Sequence, residues 1–315
     1  MGKIAFVFPG QGAQFIGMGK DFYDTFTSSK NIFEQGNEIL GRNLTEIIFS
    51  GNEHELKQTQ NAQAGIFLMS IAIYSVIKDR LVPDYAAGHS LGEYTALCAS
   101  EVFDLKTCTN LVKKRGEFIN QDVCENVGGM IAVIGMEEDS INEVIEGIKK
   151  DSDNYVGVAN YNSIGQIVIS YEGDETFRNQ VVEQFTKNGA KRALPLNVAG
   201  AFHSPLVDGA AYRMQDELKE TEVKHPQIPV IFNYNADIVN DIEDIKTMMV
   251  NQIKSPVQWI NTINHLGSAD VDTIIEIGPG KVLTGLNKRI NKNFNLMNIE
   301  KISDLEKIEA VLVNK

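Results

Sequence analysis

The sequence is poor in cysteine, and this scarcity excludes two kinds of scaffold. Only three cysteines occur in 315 residues, Cys98, Cys108 and Cys124. Their number is odd, they form no CxxC pair, and no histidine lies at ligand spacing from them, so neither a disulfide framework nor a structural zinc site is expected. We predict no metal site and interpret the cysteines as small hydrophobic core residues.

Positive charge is also in deficit, with 29 lysines and arginines against 42 acidic residues and a net charge of −13. This balance excludes general binding to nucleic acid or to an anionic membrane, so an acidic partner must meet a local basic patch. No apolar run approaches membrane length, and the early run of residues 4–8, closed by Pro9 and Gly10, is too short for a signal peptide. We therefore predict a cytoplasmic protein and expect a monomer.

Two common nucleotide-binding motifs are missing. The early glycines, Gly10, Gly12, Gly17 and Gly19, do not have the Gly-x-Gly-x-x-Gly spacing of a dinucleotide-binding loop. Lys281 follows a glycine but lacks the first glycine of a phosphate-binding loop at the required distance. The sequence therefore gives no support for a nucleotide fold of either type.

The most informative stretch is residues 88–92, Gly-His-Ser-Leu-Gly, in which one serine is bracketed by two glycines. A short extended segment, residues 84–87, precedes it, and residues 91–99 have the apolar spacing of a helix. This context is typical of a nucleophile elbow, whose turn is too tight for side chains beside the serine. Ser90 is therefore the candidate nucleophile.

Hydrophobic patterning predicts an α/β protein with two domains. Apolar strands alternate with helices in residues 1–127 and 198–315, which favours a large α/β-hydrolase-like domain with a largely parallel sheet. Between residues 128 and 197 the order becomes β-α-β-β-α-β, the order of a ferredoxin-like α+β unit. We therefore predict a small ferredoxin-like domain inserted into the large one.

A serine nucleophile needs a base, which is normally histidine. His89 adjoins Ser90 on the turn, where its side chain points elsewhere, so we predict a supporting role for it. His203 stands on a loop just before Ser204 and Pro205, which together form a strong helix start. His203 is the candidate base, and a histidine with purely structural contacts is the alternative.

Arg115 lies in the apolar arc of the helix predicted over residues 105–120. The other members of the arc are Leu105, Cys108, Leu111, Val112, Phe118 and Ile119. A guanidinium aimed into a core must reach back to solvent or meet an anion, because an unpaired buried charge is costly. Its partner is either a protein carboxylate or a substrate carboxylate bound by both guanidinium nitrogens.

Gln11 lies in the glycine-rich turn that follows the first strand. Oxyanion holes in elbow enzymes combine the amide after the nucleophile, here that of Leu91, with a donor from an early strand-helix loop. Gln11 is the candidate for the second donor, and an ordinary strand-to-helix turn is the alternative.

Seven sequence blocks in register, from residue 4 to about residue 290, resemble those of malonyl-CoA:acyl carrier protein transacylases. In chain order the blocks are Pro9-Gly10-Gln11-Gly12-Ala13-Gln14, Gly88-His89-Ser90-Leu91-Gly92-Glu93, Lys114-Arg115-Gly116, Asn162-Ser163-Ile164-Gly165-Gln166, Ala201-Phe202-His203-Ser204, Gln252 with Ser255-Pro256-Val257-Gln258-Trp259, and Glu276-Ile277-Gly278-Pro279-Gly280-Lys281.

The resemblance implies that Ser90 is acylated by a malonyl thioester and that His203 is its base. It implies that a backbone carbonyl at the position of Gln252 orients the histidine in place of an aspartate. It implies that Gln11 and Leu91 form an oxyanion hole and that Arg115 binds the malonyl carboxylate. It also implies that His89 and Asn162 are supporting polar residues.

The resemblance also implies the substrates, malonyl-CoA and phosphopantetheinylated acyl carrier protein, with no bound cofactor. Phe202, directly before the histidine, favours a malonyl over a methylmalonyl group. Acyl carrier proteins are acidic, so we predict a transient contact through basic residues that flank the cleft between the domains, with ordinary solvated side chains as the alternative. These residues are Lys191, Arg192, Lys288 and Arg289.

Two other functions remain open on the residues alone. A serine esterase or thioesterase would share the elbow, but it would use water as acceptor and need an acid between Ser90 and His203. No acid in that span stands out, and a hydrolase has no need of Arg115. A non-catalytic binding module would be expected to lack Ser90, His203 or Arg115, and all three are present.

Overall fold

The computed structural model describes residues 2–313 and contains two sheets. The strands are, in chain order, β1 (Lys3–Phe8), β2 (Tyr85–Gly88), β3 (Gly128–Ile134), β4 (Val156–Ser163), β5 (Gln166–Glu172), β6 (Arg192–Pro195), β7 (Val230–Ile231), β8 (Val271–Ile277) and β9 (Asn295–Ile299). The α-helices are α1 (Lys20–Thr25), α2 (Thr27–Leu40), α3 (Leu44–Ser50), α4 (Glu53–Lys57), α5 (Thr59–Ile77), α6 (Leu91–Ala99), α7 (Leu105–Glu125), α8 (Glu138–Asp151), α9 (Glu175–Lys187), α10 (Asp208–Lys219), α11 (Ile242–Lys254), α12 (Trp259–Ser268), α13 (Val282–Ile290) and α14 (Glu306–Val313).

The larger sheet is parallel and has the order β7-β2-β1-β8-β9. Its central strand, β1, is buried from Ile4 to Phe8, as its near-continuous apolar sequence requires for a strand covered on both faces. Phe8 pairs with Gly88, so β1 and β2 end side by side. The turns that follow them carry Gln11 and Ser90, at the carboxyl edge where α/β sheets bind ligands.

Helix α5 is apolar on nearly all sides and forms much of the core beneath this sheet. It is long and apolar enough to cross a membrane, but 78% of its 18-residue apolar stretch is buried inside the protein. It is therefore accounted for as a core helix. Gln63 lies on this helix with 2% of its surface exposed, a buried polar residue in an apolar segment.

The smaller sheet is antiparallel, with the order β4-β5-β3-β6. Helices α8 and α9 pack on one face around Ile131, Ile169 and Phe185. The other face packs against Phe202, and Ser170 Oγ donates to the Phe202 carbonyl oxygen at 2.6 Å. The loop that carries His203 is therefore held against this sheet.

Two predicted details differ from the structure. Cys108 is buried, but Cys98 is half-buried and Cys124 is exposed, so the core interpretation is wrong for Cys124. The residues after Ser204 first form a short 3-10 turn, Pro205–Val207, before α10 begins. Ser204 nevertheless caps this turn through its side chain, which accepts from the Leu206 amide at 3.3 Å.

Candidate active site

Ser90 occupies a strained turn between β2 and α6. Its φ of 53° and ψ of −108° place it in the positive-φ region, which few residues other than glycine adopt. A side chain at Gly88 would overlap the backbone of Gly92, and one at Gly92 would overlap the carbonyl of Phe8. Both flanking glycines are therefore required by backbone contact, and the elbow expected from the sequence is present.

His203 lies directly against the serine hydroxyl. The distance from Ser90 Oγ to His203 Nε2 is 2.7 Å, and His203 Nδ1 lies 2.9 Å from the carbonyl oxygen of Gln252. Because a carbonyl only accepts, Nδ1 carries the proton and Nε2 is left to accept from the serine. Burial, followed by the positive charge of Arg115, lowers the pKa of His203 to about 3, so the imidazole is neutral and able to act as a base.

Asn233 and Glu93 brace the elbow from behind, and sequence reasoning missed both roles. Asn233 Oδ1 accepts from the Ser90 amide, its Nδ2 donates to the Gly88 carbonyl, and its own amide donates to Glu93 Oε2, each at 2.6 Å. The Glu93 carboxyl is fully buried, and this burial raises its pKa to about 8. Gln252 Nε2 adds a bond of 2.5 Å to the Ser90 carbonyl.

Gln11 and Leu91 occupy positions suited to an oxyanion hole. A side chain at Gly10 would overlap the carbonyl of His89, so the loop that carries Gln11 is in close contact with the elbow. Leu91 is the first residue of α6, and its amide belongs to the first turn, which lacks intrahelical partners. Within residues 2–313, the amides of Gln11 and Leu91 donate to no protein acceptor.

Arg115 lies beside Ser90 with 2% of its surface exposed. Its Nη1 donates to Gln63 Oε1 at 2.7 Å, and its Nη2 donates to Ser90 Oγ and to Gln252 Oε1, both at 3.1 Å. No carboxylate in the described part of the chain forms an ion pair with it, so the protein-partner alternative is wrong. The cation is held by neutral groups next to a serine that could carry an acyl group.

His89 and Asn162 connect the elbow to the smaller sheet. His89 Nε2 lies 2.8 Å from Asn162 Oδ1, and its ring packs 5.5 Å from the Trp259 ring. His89 is half-buried, and the loss of water around its ring lowers its pKa. The backbone of β4 adds two bonds of 2.9 Å to Val257, so the smaller sheet is attached close to the nucleophile.

One end of the smaller sheet connects Arg192 and Arg289, two of the basic residues predicted for carrier contact. Arg289 Nη1 donates to Gln166 Oε1 at 2.7 Å. Gln166 pairs across the sheet with Ile134, and Ile134 pairs with Arg192 on the edge strand β6. The side chain of Arg289 and the backbone of Arg192 thus contact the two ends of one row of paired residues, Gln166 and Ile134.

The basic residues predicted for carrier contact are all exposed, and within residues 2–313 none has an ion-pair partner: Lys191, Arg192, Lys288 and Arg289. Lys187, their neighbour, instead pairs with Glu183 at 2.7 Å. Over the same described range, no group of three or more histidine, cysteine or acidic side chains is arranged to hold a metal ion.

The Ser–His pair, the strained elbow and the unpartnered amides define a site that can form an acyl-serine intermediate. The Nδ1 partner of His203 is a carbonyl, so the acid of a hydrolase triad is not at that position. The chain matches the family described as acyl transferase domain over residues 5–306, and it belongs to that family.

Relatives of known name agree with the resemblance found in the sequence blocks. The malonyl CoA-acyl carrier protein transacylase of Bacillus subtilis (strain 168) is 42% identical over 313 residues, which cover 99% of this chain and 97% of that protein. The acyl-carrier-protein-S-malonyltransferase structure from Bartonella henselae has a TM-score of 0.94 and 37% identity, covering 99% and 100% of the two chains. A malonyl-transacylase solved in complex with its type II PKS acyl-carrier protein has a TM-score of 0.93 and 34% identity, covering 99% and 100%.

Proposed function

We propose that this protein transfers the malonyl group of malonyl-CoA to the phosphopantetheine thiol of an acyl carrier protein through a malonyl-Ser90 intermediate. The observation that carries the proposal is the buried Arg115, whose charge has no carboxylate partner among residues 2–313 and whose Nη2 lies 3.1 Å from Ser90 Oγ. A malonyl group on the serine brings its own carboxylate to this cation. The names of the relatives support the same acyl group and acceptor.

In the first half-reaction, Ser90 Oγ attacks the thioester carbonyl while His203 Nε2 takes the hydroxyl proton. The amides of Gln11 and Leu91 stabilise the oxyanion, each donor contributing on the order of a hundredfold to a thousandfold in rate. When the intermediate collapses, the carbon–sulfur bond breaks and the coenzyme A sulfur receives the proton from His203. The enzyme is left as a malonyl ester of Ser90.

The second half-reaction uses the same groups in reverse. The carrier's phosphopantetheine thiol gives its proton to His203 Nε2, and its sulfur attacks the malonyl ester. The bond between the acyl carbon and Ser90 Oγ breaks as the new carbon–sulfur bond forms. His203 returns the proton to Ser90, so the enzyme is regenerated, and the reaction requires no bound cofactor.

Acyl selectivity follows from the charge of Arg115. A malonyl carboxylate can form an ion pair with the guanidinium, whereas an acetyl group leaves the buried cation unpaired. The loss of one partner from a buried charge pair costs about 2–5 kcal/mol. Phe202, which packs against the smaller sheet, would limit the space beside the acyl group, consistent with the sequence-based preference for malonyl.

The proposal includes the architecture expected from the sequence. Residues 128–197 form a ferredoxin-like domain, a division supported by their separate sheet and core, and residues 1–127 and 198–315 form an α/β-hydrolase-like domain. The carrier docks transiently at the cleft between them. Exposed basic side chains at the start of β6 and on α13 support this docking site on an otherwise acidic protein: Lys191, directly before β6, with Arg192, Lys288 and Arg289. A monomeric, cytoplasmic enzyme remains a prediction.

Intact-mass measurement tests the function directly. Mixing the protein with malonyl-CoA should give one stable malonyl adduct, and mixing with acetyl-CoA should give little adduct. The Ser90→Ala variant should give none, and addition of a phosphopantetheinylated carrier should move the malonyl group to the carrier thiol. Rapid release of free malonate without a thiol acceptor would instead indicate a hydrolase.

A further inference from the structure

In the part of the chain that the structure describes, the side chains that accept hydrogen bonds from Arg115 are all neutral. The three oxygens that accept from the guanidinium belong to two amides and one hydroxyl, on Gln63, Gln252 and Ser90. The carboxyl of Glu93 acts on Arg115 only through space and accepts instead from the Asn233 amide. The positive charge of Arg115 also acts on His203, because it is the second cause, after burial, of the lowered pKa of His203.

Gln63 is oriented so that its carbonyl oxygen faces Arg115. Its Nε2 donates to Gln11 Oε1 at 3.3 Å, which leaves Oε1 to accept from Arg115 Nη1 at 2.7 Å. The residue is anchored on the buried helix α5. Gln252 makes two further contacts: its Nε2 donates to the Ser90 carbonyl, and its backbone carbonyl accepts from His203 Nδ1. Gln63 is thus the acceptor dedicated to the guanidinium.

We propose that Gln63 is a positioning residue that determines acyl specificity by aiming Arg115 at the acyl group without neutralising it. A glutamate has nearly the same shape and could accept from the same guanidinium nitrogen. It would, however, form a buried ion pair and neutralise the charge that a substrate carboxylate needs. The amide therefore selects for acidic acyl groups. This inference rests on the proposed malonyl transfer and names the residue that keeps the selectivity.

The test compares Gln63→Glu with two other variants. Gln63→Met removes the acceptor while leaving the charge of Arg115 free, and Gln58→Glu adds the same negative charge at the exposed start of α5. Single-turnover acylation of Ser90 is followed by intact mass at several concentrations of malonyl-CoA and of acetyl-CoA. The readout is the ratio of kcat/KM for the two substrates.

We expect Gln63→Glu to lower the malonyl-to-acetyl ratio on the order of 100-fold, mainly through a weaker apparent affinity for malonyl-CoA. Gln63→Met should raise the apparent KM for malonyl-CoA much less than Gln63→Glu does, so it should keep most of the preference, and Gln58→Glu should match the wild type. These differences separate a charge effect from a loss of folding, since Gln63→Met keeps a neutral side chain of similar volume at this position.

Two results would overturn the inference. One is a Gln63→Glu variant that acylates with the wild-type ratio, and the other is a Gln63→Met variant whose preference collapses as far as expected for the glutamate. In both cases the wild type would still form the malonyl adduct, and the proposed function would stand. Absence of that adduct in the wild type would instead be a failure of the proposed function.

Discussion

Replacement of Asn233 by alanine is the sharpest test of how the elbow holds Ser90. The side chain is fully buried and makes two bonds of 2.6 Å, one from the Ser90 amide and one to the Gly88 carbonyl. The variant leaves both backbone groups without partners in the interior. An unsatisfied buried group costs about 1–3 kcal/mol, so the two together give a loss of about 2–6 kcal/mol.

This cost should affect catalysis as well as stability. Ser90 is held at a φ of 53°, a conformation that costs of order 1–3 kcal/mol and persists only when its surroundings enforce it. Without Asn233 the turn can relax, and Ser90 Oγ then leaves its 2.7 Å contact with His203. We expect the acylation rate at saturating malonyl-CoA to fall on the order of 100-fold with a nearly unchanged KM, because binding through Arg115 is retained.

The assay combines urea unfolding with single-turnover acylation. Asn235→Ala is the matched control, because Asn235 is exposed two residues away and accepts only from the amide of Asp237, at 3.1 Å. Asn233→Asp keeps the acceptor for the Ser90 amide but loses the donor to Gly88, so its defects should be intermediate. An Asn233→Ala variant with wild-type stability and acylation rate would refute the reasoning.

Two further predictions concern charge. Burial raises the pKa of Glu93 from 4.5 to about 8, so the folded protein keeps a proton that the unfolded chain releases; this contribution to stability is complete below pH 4.5 and is lost as the pH rises towards 8. Glu93→Gln keeps the acceptor for Asn233 but does not titrate. Between pH 5 and 8 the free energy of unfolding of the wild type should therefore fall by several kcal/mol relative to that of the variant. Urea titrations that give parallel pH profiles for the two proteins would contradict this. Arg192→Glu and Lys288→Glu should raise the apparent KM for acyl carrier protein in steady-state assays and leave that for malonyl-CoA unchanged; equal effects on both substrates would argue against the docking site.

Features that depend on local sterics could be predicted well from the sequence. The elbow follows from the spacing of Gly88, Ser90 and Gly92, since only glycine fits the close backbone contacts at the two positions that flank the serine. The predicted extent of the following helix, residues 91–99, is the extent observed. The position of Arg115 in an apolar arc correctly indicated a buried guanidinium, because helical periodicity alone determines which face a residue occupies.

The same local patterns could not identify what surrounds these residues. Gln63 is 52 positions away from Arg115 on a helix that is buried on nearly every side, so its periodicity does not distinguish one polar contact from another. Strand β7 has only two residues, Val230–Ile231, and in the sequence Asn233 looks like an ordinary turn residue after it. Its partners lie about 140 residues away, at Ser90 and Glu93.

The sequence by itself therefore determined the candidate nucleophile, the candidate base, the anomalous arginine and, through ordered blocks, the family. Only the tertiary structure decided that, among the described residues, Arg115 meets amides and a hydroxyl and no carboxylate, and that Asn233 holds the strained serine in place. The physical reason is that backbone sterics and helical spacing act within a few residues, whereas the partner of a buried charge is chosen by the packing of distant segments. In this protein that choice leaves a positive charge free beside Ser90.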